Sequence, residues 1–503
     1  MTEDRGVGLK AWLSGPKSRN LKADARAQQP VHMDKHRIVV LPLTNISSDP
    51  RDEYFADGLT EELISSISNI SELSVISRTS AMTYKGTSKK VGDIGKELDV
   101  GSVLEGSVRK SGNSMRIAVQ LIDVRDDKHL WVQNYDREFD DVFAVQSDIA
   151  KRVADALRVR ILPGETRQIE KKPTNSSEAY GLYLKGRYSW NKRTKESLLK
   201  AIQYFTEATK KDPNFARAYV GLADCYIIME NWGYLNTVEA STKSKMYVTK
   251  ALELDDSVAE AHVSRASILM AEEWDVEGAE REFKRAIELN PSYATAHHWY
   301  ANGLLAPQGR FDEAVSELRE AERLDPLSPI ISANLGDQLL YGGLLKEAKD
   351  QYRNAIESSP DSAYAYSRLG LALLKESRYE EAISEIQKSI DLSGSFESSA
   401  PDLIFAYSVA GRKEEAQRLL GELQLKSTRQ FIPNIFLALA NAAAGDNDKA
   451  IEFLLKALAE KSNQLRPNMN EPHFDRLRSD LRFQDILKTI GVRMRNDLPS
   501  SVC

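Results

Sequence analysis

The sequence predicts two unlike regions in one chain, an α/β domain followed by an all-α superhelical solenoid. Over residues 36–163, short β-branched runs alternate with amphipathic stretches, an order typical of a mixed sheet covered by helices. Between residues 279 and 457, small or apolar residues recur at a spacing of 34 or 35 positions, within a helical pattern that begins near residue 177. A period of this length indicates helix pairs that stack on one another, so we expect two separate packing units.

Length and composition set further limits on the class of protein. The 503 residues exceed the size at which a single core keeps growing. A net charge of −6 does not suggest a nucleic-acid binder, whose binding surface is usually basic. No apolar run approaches the roughly 20 residues of a membrane helix, and Cys225 and Cys503 cannot build a disulfide framework. We therefore predict a cytoplasmic protein with no membrane or nucleic-acid partner.

The first 35 residues are predicted to form a flexible tail because they are polar and nearly free of aromatic residues. Their apolar patch at residues 11–13 is too short for a secretory signal. Met33 stands just before the first predicted strand, so a translation start there is a further hypothesis. N-terminal sequencing of the native protein tests it.

The α/β domain is predicted from the order of its segments. Predicted strands cover residues 37–45 and 73–78, and predicted helices cover residues 52–68 and 91–100. Residues 100–138 then alternate apolar and polar side chains between two turns, which favours an antiparallel meander. An amphipathic helix from Val142 completes the domain.

The first helix begins in a cluster of acids and hydroxyls, DEYFADGLTEELISSIS. Its apolar residues share one helical face: Phe55, Leu59, Leu63, Ile64 and Ile67. The polar residues fall mostly on the other side, where we expect solvent, and Asp57 or Thr60 is expected to cap the helix. The pattern favours a structural helix over a reactive site.

A polar stretch with two prolines, residues 162–178, marks the domain boundary, and we assign residues 164–176 to a linker. About eight repeats are predicted over residues 177–460, with an insertion at residues 231–243. The clearest repeat column is Ala279, Ala314, Ala348, Ala382, Ala416 and Ala450. A helical cap is expected over residues 461–492 and a tail over 493–503.

These columns, with Leu-Gly pairs at 335–336 and 369–370, resemble the tetratricopeptide (TPR) family over about 300 residues. Residues 37–157, with VVLPLTN, DEYFADGLTEELI and LWVQNYDRE in order, are similar to the TolB-type N-terminal domain found ahead of such arrays in bacteria and archaea. In relatives this pair often follows a winged-helix or class III cyclase domain, and neither fits into the 35 residues here. The resemblance therefore implies the sensory or interaction half of a signal-transduction protein.

No motif for catalysis or nucleotide binding is found in the sequence. The loop at residues 84–90, YKGTSKK, has glycine, hydroxyls and lysines but not the Walker spacing, which favours a solvated turn. His262 and His297 occupy a packing position of successive repeats, and His298 lies about 100° round the helix from His297. We therefore predict no enzyme, no cofactor and no metal site.

Stacked repeats form a concave groove lined by the first helix of each pair. From the repeat register, the candidates for its wall are Arg217, Asp224, His298, Asn302, Asp337, Tyr341, Tyr364 and Lys375. This mixed wall suits a protein or peptide partner and lacks the Lys/Asn carboxylate clamp of chaperone-binding TPR proteins. We predict a non-catalytic interaction scaffold. The alternative is a ligand-sensing regulatory subunit whose α/β domain binds a nucleotide or small anion.

Overall fold

The computed structural model describes residues 34–231, 234–394 and 396–493. The N-terminal part is built on a six-stranded mixed sheet in the order β3-β1-β4-β5-β6, with β2 paired to β4. The strands are β1 (Arg37–Val40), β2 (Thr44–Asn45), β3 (Ser74–Val75), β4 (Ser102–Ser111), β5 (Ser114–Asp123) and β6 (Lys128–Glu138). Strand β1 pairs in parallel with β3 and with β4, and β2 pairs in parallel with β4. Strands β4, β5 and β6 form the predicted antiparallel meander.

Helices cover this sheet and bury the predicted apolar face. They are α1 (Glu53–Ser68), α2 (Arg78–Met82), α3 (Val91–Leu98) and α4 (Val142–Leu157). Phe55, Leu59, Leu63 and Ile67 of α1 are buried in the domain core. Tyr135 of β6 donates a hydrogen bond to Asp148 of α4 at 2.7 Å. The predicted mixed α/β fold is confirmed.

The predicted linker carries a helix of its own, α5 (Pro163–Glu170). Glu165 in its first turn accepts hydrogen bonds from the backbone of Leu162 and from the backbone and hydroxyl of Ser71. These contacts tie the chain leaving α4 back onto the domain, because one carboxylate satisfies donors from two separate loops.

A long run of antiparallel helix pairs follows, which confirms the predicted solenoid class. In the described ranges there are eight pairs: α6 (Ser177–Trp190) and α7 (Lys195–Lys211), α8 (Ala216–Asn231) and α9 (Thr237–Leu254), α10 (Ala259–Ile268) and α11 (Val276–Leu289), α12 (Ala294–Trp299) and α13 (Phe311–Leu324), α14 (Pro329–Tyr341) and α15 (Leu345–Ser358), α16 (Ala363–Lys375) and α17 (Tyr379–Ser393), α18 (Phe396–Val409) and α19 (Lys413–Ser427), α20 (Asn434–Ala444) and α21 (Asn447–Ala459).

Small residues allow these helices to approach closely. The alanines of the repeat column are buried, and Gly336 of α14 lies against the ring of Tyr352, where a Cβ atom would come within 2.5 Å. Two first helices continue as π-helical turns, Leu269–Glu273 after α10 and Tyr300–Leu305 after α12. Such wide turns shift the direction of side chains relative to an ordinary helix and are frequent at functional sites.

The residues after α21 form what we call the C-terminal segment, residues 461–493. It contains α22 (Leu465–Asn468), a 3₁₀ helix (Pro472–Leu477) and α23 (Leu481–Thr489). Apolar residues such as Phe474 and Phe483 pack this segment against α20 and α21. Its polar residues reach earlier repeats: Asn463 donates to Asn231 at 2.5 Å, and the backbone of Arg493 donates to Pro307 at 2.9 Å.

No helix in the described ranges is long and apolar enough to cross a lipid bilayer.

Candidate functional site

The inner helices α14 and α16 carry polar side chains that are almost fully buried. Asn334, Asp337 and Gln338 lie on α14, and Arg368 lies on α16. Because buried polar groups are costly unless they are paired, the local network of hydrogen bonds decides what this wall of the groove can do.

Arg368 is the centre of this network, and only 3% of its surface is exposed. Its Nε donates to Asp337 at 2.7 Å, and its Nη1 donates to both carboxylate oxygens of Glu471 at 3.0 Å. Its Nη2 donates to the hydroxyl of Tyr341 at 2.9 Å. Burial opposes the charged form, but Asp337 and Glu471 hold the pKa of Arg368 well above its usual value. One guanidinium thus joins α14 and α16 to the C-terminal segment.

Tyrosine hydroxyls complete the environment of Asp337. Tyr352 donates to one carboxylate oxygen at 2.9 Å, and Tyr364 donates to the other at 2.7 Å. Burial, and secondarily the charge of Asp337, raises the pKa of both tyrosines, so they remain neutral donors at ordinary pH. The carboxylate of Asp337 therefore accepts hydrogen bonds from one guanidinium and two hydroxyls.

His298 on α12 extends the network along the groove. Burial lowers the pKa of His298, so the ring is neutral near pH 7, and its Nε2 lies 2.7 Å from Oδ1 of Asn334. A neutral ring bound to an amide oxygen through Nε2 donates from that nitrogen. Asn334 in turn donates to Tyr364 and Asp337 at 3.3 Å.

A cavity of about 500 Å³ opens beside this network. Its wall has three parts: the inner helices, the two π-helical turns and the C-terminal segment. Apolar side chains such as Met270, Trp299 and Ile330 alternate with amides such as Asn302, Asn334 and Gln338. A volume of this size lies in the range of about 300–1,000 Å³ that is usual for ligand sites in proteins.

Five of the eight predicted groove residues line this cavity: His298, Asn302, Asp337, Tyr341 and Tyr364. The other three lie elsewhere. Arg217 donates to Glu62 of α1 at 2.8 Å, because the α/β domain covers this part of the first repeats. Asp224 accepts from Ser264 at 2.8 Å. Burial lowers the pKa of Lys375, and the charge of Asp475 in the C-terminal segment only partly opposes this shift.

Sequence reasoning missed Arg368, Glu471 and Arg466. Arg368 had a signal, because it is the one charged side chain inside the apolar run of α16 before Lys375. Glu471 and Arg466 follow the last repeat, where the 34-residue register gives no position for them.

The acids of α1 were expected to face solvent, and this expectation is wrong. Glu61 accepts from Nε of Arg187 at 2.7 Å and pairs with Arg78 at 3.1 Å, while Glu62 pairs with Arg217 at 2.8 Å. Although burial opposes it, the pKa of Glu61 is lowered by Arg187 and Arg78. The reason is that α1 lies against α6 and α8, so its polar side is the surface that joins the α/β domain to the array.

The expected cap is also wrong. Helix α1 begins at Glu53 without a side-chain cap, Thr60 lies in its interior and accepts from the backbone of Leu43, and Asp57 pairs with Lys85 at 2.5 Å.

Two lysines of the loop at residues 84–90, and His262 and His297, make contacts within the protein. Lys85 pairs with Glu53 and Asp57, and Lys89 pairs with Glu97 at 2.8 Å. His262 and His297 are buried, and each ring contacts a glutamate on the second helix of its own repeat. Among the residues described by the structure, no group of three or more metal-ligating side chains comes together.

The comparisons with known proteins agree with the helix-pair geometry. A model of the family described as "Tetratricopeptide repeat" matches residues 275–329 and 333–400. The helix pairs over these residues are therefore tetratricopeptide repeats. The chain is 34% identical over 265 residues to "Putative adenylate cyclase 3" of Rhizobium meliloti, covering 51% of this chain and 44% of the relative.

It is also 26% identical over 227 residues to the transcriptional regulator HilA of Salmonella typhimurium, covering 44% of this chain and 38% of HilA. The matches thus span less than half of the length of both relatives. Among solved structures, a chain of the APC/C hetero-tetramer Cut9-Hcn1 is similar at 17% identity and a TM-score of 0.40, over 70% of this chain and 74% of that one.

Proposed function

We propose that this protein is a non-catalytic regulatory scaffold, and that its TPR groove binds a short segment of a protein partner in the cavity beside Arg368. The observation that carries the proposal is the mixed wall of this cavity, where aromatic and aliphatic surfaces alternate with amides. Amide side chains suit the N–H and C=O groups of a peptide backbone, and the apolar surfaces suit its side chains. The volume of about 500 Å³ favours a few residues over a long helix.

The same proposal includes three predictions from the sequence. Residues 36–163 and 177–460 act as the two domains, with residues 461–492 as a cap. The N-terminal domain is of the TolB type. The protein works in the cytoplasm, as a signalling component without a nucleic-acid or membrane partner. The absence of catalysis is tested by incubating the full chain with Mg²⁺ and ATP, which we expect to give no cyclic AMP.

A blocked cavity tests the proposal. Ile330 of α14 lines the cavity and is 44% exposed. Ile330→Arg therefore places a long charged side chain at the edge of the cavity without burying the charge. Leu455→Arg is the matched control, since Leu455 is 48% exposed on α21 and does not line the cavity. The probe is a pool of random hexapeptides, and retention by each full-length variant is measured by equilibrium dialysis and mass spectrometry.

We expect the unaltered chain and Leu455→Arg to retain the same subset of peptides, and Ile330→Arg to lose most of it. Equal retention by all three proteins would place binding outside the cavity. No retention by any of them would overturn the proposal.

A further inference from the structure

Arg466 is a buried cation in the cavity wall, and none of the described residues gives it an acidic partner. It lies on α22, only 3% of its surface is exposed, and it lines the cavity. Its Nη1 donates to the carbonyl oxygen of Ile490, while Nε and Nη2 have no hydrogen-bond partner in the part of the chain that the structure describes. Burial lowers the pKa of Arg466 to about 10, and no neighbouring acid opposes this shift. A guanidinium is rarely left in this state, because a buried charge without a partner destabilises the fold.

Two amide oxygens on the same cavity wall are also unsatisfied. Gln338 uses its amide nitrogen for a bond of 3.4 Å to Asn302, and Asn463 uses its nitrogen for the bond to Asn231. Their carbonyl oxygens, Oε1 of Gln338 and Oδ1 of Asn463, are buried and have no donor among the described residues. The wall therefore lacks an anion for Arg466 and N–H donors for two acceptors.

Two acids that line the cavity, Glu471 and Asp337, do not supply that anion. Glu471 and Asp337 are already bound to Arg368 and to tyrosine hydroxyls. Arg466 lines the cavity, and one described hydrogen bond, to Ile490, holds its guanidinium. Because Nε and Nη2 are buried, a ligand in the cavity would reach them only after the side chain turns toward it.

One chemical group meets all of these needs at once. We propose that the cavity binds the free C-terminal end of a peptide chain, with the terminal carboxylate on Arg466 and backbone N–H groups donating to Gln338 and Asn463. This inference rests on the proposed function and adds the identity of the bound segment. A carboxylate pairs with a guanidinium through charge-assisted bonds, and the last peptide units supply N–H donors a few ångströms away. The proposed carboxylate site lies on the C-terminal segment and uses no residue of the repeats as its cation.

The test uses three pools of random tetrapeptides and the full-length protein. The first pool has free C termini and no Asp or Glu, the second is the same pool amidated at the C terminus, and the third is amidated but contains Asp and Glu. Retention is measured by equilibrium dialysis and mass spectrometry. We expect the first pool to be retained about tenfold better than the second, the size of one charge-assisted interaction.

Variants assign the effect to Arg466. Arg466→Met should reduce retention of the first pool to that of the amidated pool, and Arg466→Lys should keep part of the difference. Arg418→Met is the control, because Arg418 is exposed and pairs with Glu422 on its own helix. Thermal unfolding is measured in parallel: loss of an unpaired buried charge should leave Tm unchanged or raise it, whereas a purely structural arginine would lower Tm.

The outcomes separate the two proposals. Equal retention of the first and second pools would overturn the carboxylate site and leave the proposed function standing, with ordered water as the partner of these atoms. Preferential retention of the third pool would move the carboxylate to an acidic side chain and overturn the chain-end assignment. No retention of any pool would overturn the proposed function as well. If Arg466→Met does not fold, the unaltered chain still tests the proposal, because its retention of the first and second pools can be compared.

Discussion

Two clusters of buried charged residues differ in whether each charge has a partner of opposite sign. At the junction of the two regions, Glu61 and Glu62 of α1 bind Arg187 and Arg217 of the array. In the groove, Arg368 binds Asp337 and Glu471, but Arg466 nearby has no acid among the described residues. A cluster in which each charge has a partner of opposite sign holds two elements in one arrangement, whereas a buried charge without such a partner can bind one. This difference supports the proposal that the junction joins the two regions and that the groove binds a partner.

The largest effect is expected from Arg368→Met. It leaves Asp337 and Glu471 buried without a cation, which should lower the free energy of unfolding by about 3–5 kcal/mol. Urea unfolding followed by circular dichroism measures this loss. Arg378→Met is the control, because Arg378 is exposed and loss of its surface ion pair should change the free energy of unfolding far less. A loss of similar size in both variants would show that the groove cluster does not contribute specifically to stability.

The junction is expected to respond less, because its charges are shared among more groups. Glu61→Gln keeps a hydrogen-bond acceptor while removing the charge between Arg187 and Arg78, so we expect a loss of about 2–3 kcal/mol. The α/β domain should then separate more readily from the array. Limited proteolysis should show faster cleavage near residues 171–176, and an unchanged cleavage rate would show that α1 does not depend on this charge.

Two glycines allow the packing at the junction to be compared with the packing in the groove. A Cβ at Gly186 near the junction would lie 2.5 Å from the ring of Phe205, and a Cβ at Gly336 in the groove would lie 2.5 Å from the ring of Tyr352. Each substitution by Ala should cost about 1–3 kcal/mol. Only Gly336→Ala should also weaken peptide retention, since Tyr352 donates to Asp337.

Gly421→Ala is the control for this pair, because no atom lies within 4 Å of the added methyl group. It should stabilise the protein by up to about 1 kcal/mol. Equal loss of peptide retention in Gly186→Ala and Gly336→Ala would contradict the separation of roles between the junction and the groove.

A carboxyl group without a cation gives the smallest and most specific effect. At the junction, Asp325 accepts from the backbone and hydroxyl of Ser80, at 2.9 and 2.6 Å, and burial raises its pKa to about 6. The folded state then binds this proton more tightly than the unfolded state, so the contribution is present at low pH and is lost as pH rises through about 6.

Between pH 7.5 and pH 5, the unaltered chain should therefore gain about 1 kcal/mol relative to Asp325→Asn. Urea unfolding of both proteins at the two pH values measures this difference. Parallel pH dependence of the two proteins would contradict the raised pKa.

Local patterns predicted most of the fold. The 34-residue column of alanines gave the array because small residues are required wherever adjacent helices cross, and strict alternation gave the meander. The repeat register also placed five groove residues at the cavity. It failed for Arg217, because a register describes the array alone and α1 covers this residue. It had no position for Glu471 and Arg466, because they lie in the C-terminal segment after the last repeat.

The contacts of the C-terminal segment also bear on how the chain folds. In most repeat arrays each unit touches its neighbours only, so folding can start anywhere and spread along the chain. Here Asn463 bonds to Asn231 across 232 positions, and Arg37 bonds to the backbone of Arg323 across 286. Contacts of such long range slow folding, because distant parts of the chain must meet before the contacts form. During synthesis, the cavity is complete only after the last repeat and the segment behind it have left the ribosome.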